Sequence, residues 1–383
     1  MRVITTTEEL AEFSEELLKR PCVAVDTEFM REKTYWPILC LIQAAADGEE
    51  AIIDPLAEGM DLSPFLEVLK DKETIKIFHA ARQDLEIFYR LIGDVPAPLF
   101  DTQVAAMACG FGDQIGYEPL MRGLLNAKID KGSRFTDWSR RPLTQAQLAY
   151  ALSDVTHLRD AYPLIREKLE AQSRAHWVEA EMQALYEPDL YFVKPENAWK
   201  RLKLKGVRPK ELGPAVKLAE WREREAQSKD VPRSRLLKDE AIFELARLQP
   251  DSAKNLARAR SIPNGFERSN AGSAILEAIK SGTAIEHSNL PEIAKADRTK
   301  APADVVELLK VLLKRQCEVY DVAPKLIASS ADLDEIATND EADVRALSGW
   351  RREVFGEAAL RLKSGDLALK LKNGAVELIE TTS

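Results

Sequence analysis

Two carboxylates one residue apart, Asp26 and Glu28, follow the apolar run Cys22-Val23-Ala24-Val25. On a strand, residues i and i+2 point to the same face, so both acids project together at the end of a buried strand. Paired anions there repel unless one is protonated or a divalent cation bridges them. An Asp-x-Glu pair is equally what a strand leaves where it meets solvent. A third acid, Asp84, falls in the first turn of the helix expected after Phe78-His79-Ala80-Ala81-Arg82-Gln83, where a negative charge also offsets the helix dipole. Tyr150 and Asp154 stand at i and i+4, one above the other on a helix face, a spacing that also suits a core tyrosine.

The elements that must hold these groups read as α/β in the first half of the chain. Cys22–Val25, Ile38–Ala46, Ala51–Asp54 and Thr74–Phe78 have the apolar, β-branched character of buried strands. Ser63-Pro64 supplies an N-cap and a first-turn proline for a short helix ending near Lys70. A helix from about Ala81 to Ile92 is capped by Gly93, and another covers Thr102–Ala108. Thr144 and Gln147 have capping-box spacing before a long helical stretch, which Pro163 is expected to interrupt near Tyr162. Beyond about Arg174 strand signals stop, and amphipathic helical patterns run to the end. Glu187-Pro188 and Lys194-Pro195 mark one boundary, and Ser288–Ala303 another. Within the helical part, Asp230-Val231-Pro232 matches Asp321-Val322-Ala323 at an offset of 91 residues, and Leu236, Ile242, Glu244, Leu245 and Ala246 match Ile327, Leu333, Glu335, Ile336 and Ala337. This spacing indicates a duplicated helical module.

With 383 residues, 45% hydrophobic and 31% charged, the chain has material for two or three folded domains. No run approaches the roughly 18 apolar residues of a membrane span, and MRVITTTEEL is not a secretory leader, so a cytoplasmic location is expected. Four scattered cysteines and four histidines show neither Cys-x-x-Cys nor His-x3-His spacing, which argues against a disulfide framework or a zinc knuckle. The net charge of −9 argues against a nucleic-acid partner until it is divided along the chain. Residues 1–193 carry 20 basic and 33 acidic side chains, residues 194–283 carry 20 and 12, and residues 284–383 carry 14 and 18. A basic module of net +8 therefore sits inside an acidic protein.

Taken in order, the motifs resemble those of the ribonuclease D family of DEDDy 3′–5′ exonucleases. The resemblance rests on Val25-Asp26-Thr27-Glu28-Phe29, Thr34-Tyr35-Trp36-Pro37, Leu41-Ile42-Gln43, Ile53-Asp54-Pro55-Leu56, Phe78-His79-Ala80 and Asp84-Leu85-Glu86. It continues through Asp101-Thr102-Gln103, Asp130-Lys131, Thr136-Asp137-Trp138, Arg141-Pro142-Leu143-Thr144 and Tyr150-x3-Asp154. It implies a ribonuclease-H-like exonuclease domain, a mixed sheet flanked by helices, over residues 1–190. Two all-α HRDC-type domains would follow at 191–285, which is basic, and 286–383. Asp26, Glu28, Asp84 and Asp154 would hold two divalent cations, Mg²⁺ or Mn²⁺, and Tyr150 would orient the attacking water. The sister subclass has a histidine five residues before the last Asp; here Ala149 stands there, which favours the tyrosine subclass, and His157 is read as structural. Gly132 replaces a serine common after the Lys131 position, which puts a local phosphate contact in doubt.

Four acids without histidine or cysteine suit hard, oxygen-seeking cations better than zinc. A phenol with pKa about 10 stays protonated and can position water by hydrogen bonding. Phe29, Tyr35 and Trp36 could stack on terminal bases or equally be core at a loop-to-strand junction. His79, Lys131 and Arg134 are further candidate substrate contacts, and Arg140 and Arg141 extend that basic stretch. Lys200, Arg201 and Lys203, near Trp199, begin the basic module as a candidate phosphate-tracking surface; its glutamates also permit a solvated helix face. The expected activity is release of nucleoside 5′-monophosphates from RNA 3′ ends by a monomeric enzyme, and the resemblance implies precursor tRNA and other small structured RNAs as substrates. A DNA exonuclease with the same carboxylates, or a silent RNA-binding scaffold, are the alternatives.

Overall fold

The computed structural model describes residues 1–130, 132–134, 136–291 and 301–381. The site rests on a six-stranded mixed sheet built from β1 (Val3–Ile4), β2 (Cys22–Met30), β3 (Ile38–Ala46), β4 (Glu49–Ile53), β5 (Ile75–Phe78) and β6 (Leu99–Asp101), in the order β1-β4-β3-β2-β5-β6. β3 runs antiparallel to both β2 and β4, while β2, β5 and β6 are parallel to one another and β1 is parallel to β4. Central strands buried on both faces account for the nearly unbroken apolar runs of β3 and the first half of β2. The expected strand Cys22–Val25 is longer than its apolar run. Pairing with β3 carries β2 through both acids to Met30, so Asp26 and Glu28 lie inside the strand and not at its end.

Around the sheet pack α1 (Thr7–Leu17), α2 (Ser63–Lys70), α3 (Arg82–Ile92), α4 (Thr102–Ala108), α5 (Tyr117–Leu125), α6 (Gln145–Ala171) and α7 (Ala175–Leu185). Two boundary expectations are corrected. Ser63 is the first residue of α2, and its amide and hydroxyl both donate to Asp61 Oδ1, at 2.9 and 2.6 Å, so Asp61 makes the turn into the helix. Pro163 does not interrupt α6. Its ring is exposed, whereas Leu158, Ala161, Ile165 and Leu169 bury the opposite face on both sides of it. Continuous packing along that face outweighs the roughly 3 kcal/mol cost of an internal proline. The Thr144–Gln147 capping box and the left-handed Gly93 cap are both present.

The rest of the chain is mostly helical. The first module comprises α8 (Pro209–Lys229), α9 (Arg233–Leu236), α10 (Asp239–Leu248), α11 (Ala253–Leu256) and α12 (Asn270–Thr283). The second comprises α13 (Ala303–Tyr320), α14 (Pro324–Ile327), α15 (Ser330–Thr338), α16 (Gly349–Arg351) and α17 (Glu357–Ser364). The offset of 91 carries α9 onto α14, and the left-handed caps Asp230 and Asp321 have the same φ of 48°. In the first module, α8 and α12 cross at Gly213 and Gly282, where a Cβ on either would fall within 2.5 Å of the other's carbonyl oxygen. The expectation of helices alone to the C-terminus is wrong. β7 (Leu367–Lys372) and β8 (Ala375–Glu380) form a hairpin closed by Asn373-Gly374, both at positive φ. Asn-Gly between alternating apolar residues was its legible signal.

The two modules dock differently. The second shares one apolar core with the sheet, joining Leu309, Ile336 and Phe355 to the residues around Phe78, and Trp350 stacks on Trp177 at 4.3 Å. The first has its own core, centred on Ala219, Ile242 and Ile275. It meets the head through polar and aromatic contacts. Asp230 accepts from the amides of Tyr35 and Trp36 at 3.0 and 2.9 Å, and Trp36 stacks near Phe192.

Candidate metal centre and substrate cleft

Among the described residues, Asp26, Glu28 and Asp154 present carboxylate oxygens that all lie within 4.8 Å of one another. β2 supplies the first two from one face. α6 crosses that face and delivers Asp154, anchored by Leu148 and Ala151 against Leu41. Asp84 stands beside this trio at the start of α3. Its orientation is set from below, because Asp101 accepts from the amides of Ala80 and Ala81, at 3.0 and 2.9 Å, and fixes the β5–α3 turn. Asp101 also caps α4 through the Gln103 amide at 2.8 Å. Thr27, on the face opposite Asp26 and Glu28, donates its hydroxyl proton to Asp84 Oδ1.

Burial raises the Asp26 carboxyl to about 6. Burial, then the charges of Asp26, Asp154 and Asp84, pushes Glu28 up to about 10, against the pull of Arg134. Asp84 and Asp154 are held well above the usual carboxylate range, first by burial and then by Asp26. Such a set carries more negative charge than its surroundings compensate, and its donors are hard oxygens. Both properties fit divalent cations.

A cleft of about 430 Å³ opens over the acids, lined by Asp26, His79, Tyr117, Arg134, Tyr150 and Asp154. The Tyr150 phenol faces the Asp154 carboxylate, and burial followed by that charge keeps it protonated. Its ring lies 6.1 Å from that of the buried Trp138. His79 Nδ1 is 3.0 Å from Thr102 Oγ1, and its ring meets Tyr117 edge-on. Tyr117, which sequence reasoning missed, donates toward the Ser153 and Asp154 carbonyls and so ties α5 to the turn bearing Asp154. Apart from a tyrosine at a helix start, nothing in the sequence marked it.

The remaining candidates among the described residues are not part of the cleft lining. Tyr35 is buried against the first helical module, its hydroxyl bonded to Glu223 and to Arg233. Trp36 donates to the Gln227 carbonyl at 3.3 Å and lies under the Arg90 guanidinium. Neither ring is among the residues that line the cleft. Phe29 sits half-buried at the register shift after Glu28, outside the cleft lining. Arg141 is a structural cation, bidentate to Asp54 at 2.6 Å, and Arg140 pairs with Asp137 on the surface. Lys131 lies outside the described residues. Lys200 and Lys203 are exposed on the first module, and Arg201 lies beside Arg233, Glu223 and Tyr35.

Known proteins agree with this architecture. A 3′-5′ exonuclease family matches residues 1–170, and the HRDC domain family matches residues 213–279. Ribonuclease D of Nitrobacter hamburgensis is 49% identical over 380 residues, 99% of this chain and 100% of the relative. That of Gluconacetobacter diazotrophicus is 48% identical over 378 residues, 98% of this chain and 96% of the relative. The crystal structure of Escherichia coli RNase D, described as an exoribonuclease involved in structured RNA processing, superposes with a TM-score of 0.83 at 29% identity, covering 94% of this chain and 98% of that one. Fold, acidic cluster and family match define a metal-dependent 3′–5′ exonuclease carrying an HRDC domain. Within that class, the chain belongs to the ribonuclease D family of exoribonucleases. Among the described residues no helix is long and apolar enough to cross a membrane.

Proposed function

We propose that Asp26, Glu28, Asp84 and Asp154 hold two divalent cations, Mg²⁺ or Mn²⁺, and that the chain removes nucleoside 5′-monophosphates from RNA 3′ ends. The observation that carries this reading is the convergence of Asp26, Glu28 and Asp154 within 4.8 Å of one another, beside a cleft that Asp26 and Asp154 line. When bound, such a cation pair lowers the pKa of the attacking water and offsets charge at the leaving oxygen. Tyr150, kept protonated, orients that water by hydrogen bonding against Asp154. Arg134 brings positive charge to the open side of the carboxylates and meets the scissile or adjacent phosphate. His79, which also lines the cleft, serves as a contact for the terminal nucleotide. The basic module of residues 191–285 holds the body of the RNA, and residues 286–383 form a second HRDC-like domain that supports the catalytic head.

The substrates we assign are precursor tRNA and other small structured RNAs, in keeping with the structured-RNA processing described for the Escherichia coli relative. The enzyme acts as a cytoplasmic monomer. Matched RNA and DNA oligonucleotides with free and blocked 3′ ends, incubated with Mg²⁺, Mn²⁺ or chelator, test the assignment. Stepwise shortening of free-ended RNA that stops on chelation is expected. Internal cleavage of blocked RNA, or cleavage surviving chelation, overturns it, and preference for DNA replaces the substrate class.

A further inference from the structure

Gln43 lies in the middle of β3 directly opposite Asp26 on β2, and a cross-strand pair of this kind places both side chains on one face with Cβ atoms about 5 Å apart. It is fully buried, and among the described residues neither Nε2 nor Oε1 has a hydrogen-bond partner. Its nearest neighbours on that face of the sheet are Leu41 and Ala45 along its own strand, Ile52 across on β4, and Asp26. Three of the four are apolar. The fourth is the carboxylate that also faces Glu28 and Asp154; α6 covers the same face of the sheet, and among the described residues its His157 Nδ1 is likewise buried without a partner.

An unpaired amide in such a place is destabilising relative to an apolar side chain of similar size. A leucine or methionine would pack there without that cost, so packing does not explain a glutamine. An ionised carboxylate ligating a cation has lone pairs left over, and groups that bond to them fix its orientation and set metal affinity. A neutral amide donates to such an oxygen without adding charge, as a lysine would, or competing for the metal, as another acid would.

We propose that Gln43 is a positioning residue for the metal centre: in the cation-loaded protein its side-chain amide, unpartnered in this structure, turns to donate to the Asp26 carboxylate and orients it toward the cation. This rests on the reading of Asp26 as a metal ligand.

The test compares Gln43→Leu, Gln43→Met and Asp26→Asn with the parent chain. Mn²⁺ binding is titrated on the chelated protein by calorimetry, beside thermal unfolding in chelator and steady-state cleavage of an RNA oligonucleotide. Gln43→Leu is expected to keep or raise its unfolding temperature in chelator while losing about tenfold in Mn²⁺ affinity, with kcat falling and KM little changed. Gln43→Met should behave alike, and it stands in if the leucine variant fails to fold. Mn²⁺ affinity within twofold of the parent in a folded Gln43 variant overturns the proposal, provided Asp26→Asn has lost binding. Activity loss that only follows a fall in unfolding temperature, with unchanged Mn²⁺ affinity, overturns it as well. Undiminished Mn²⁺ binding by Asp26→Asn overturns instead the assignment of the metal site itself.

Discussion

The hydroxyl of Thr27 donates to Asp84 Oδ1, so the residue between two acids of β2 holds the third acid from the opposite face of the strand. Three consecutive residues thereby organise three carboxylates. Asp26 lines the cleft with Glu28 beside it on the same strand face, and Thr27 fixes Asp84 on α3. Replacing Thr27 by valine keeps the shape and removes the donor. Turnover and Mn²⁺ affinity are each expected to fall about tenfold, with the unfolding temperature close to that of the parent. Thr27→Ser should retain most of both. Metal titrations beside kcat check this, and unchanged metal dependence in the valine variant would reduce Thr27 to a packing role.

Tyr150 and Asp154 share one face of α6 but have separable roles. Asp154→Asn is expected to abolish turnover and weaken cation binding, because it removes a charged oxygen ligand from the cluster. Tyr150→Phe keeps the ring against Trp138 and loses only the hydroxyl. Its turnover should drop about a hundredfold while cation affinity survives. Purified, folded Asp154→Asn protein with near-parental turnover would remove Asp154 from the site.

Spacing and alternation made the acids legible before the fold. Asp26 and Glu28 share a strand face by the period of two, and Tyr150 and Asp154 share a helix face by the period of 3.6. The sheet's apolar runs were legible for the same reason. Contacts between distant segments were not. Tyr35 and Trp36 have the composition of a stacking platform, yet the module that covers them lies almost two hundred residues away, and no local pattern announces that Glu223 and Asp230 meet them. Tyr117 escaped similarly, since the carbonyls it meets lie across the tertiary structure. Pro163 was misread because local propensity does not register the buried face that keeps α6 helical past it. The hairpin Leu367–Glu380, in contrast, had a local signal in Asn373-Gly374.

Glu223 is almost wholly buried where the first helical module meets the head, and it is held by a two-pronged Arg233 contact and the Tyr35 hydroxyl. Despite burial, these partners hold its pKa below the usual glutamate value. The contact therefore stabilises the fold above the glutamate's ordinary pKa and is lost as pH falls through the folded value. Arg233→Met leaves the carboxylate buried without its cation and should cost about 3 kcal/mol, measured by urea denaturation at pH 7. Adding Glu223→Gln to that variant should recover part of the loss, because the stranded charge is then gone. A single Arg233→Met variant as stable as the parent would mean that the interface carries no energetic weight.

Removing cations should make stability fall with rising pH. In the chelated protein Asp26 and Glu28 titrate at about 6 and about 10, against ordinary values of 3.8 and 4.5. Between the ordinary and folded values, the folded chain binds more protons than the unfolded one, so stability declines as pH rises. Both groups contribute from about pH 4 to 6, and Glu28 alone of this pair above that. A bound cation reverses the trend, because it favours the ionised carboxylates and must displace the retained protons. With at least the Glu28 proton displaced, affinity should rise about tenfold per pH unit between 6 and 8. The Mg²⁺-induced increase in Tm is therefore expected to be larger at pH 8 than at pH 6, read from unfolding scans with chelator and with saturating Mg²⁺ at each pH. Equal increments at the two pH values would mean that cation binding displaces no proton from this cluster.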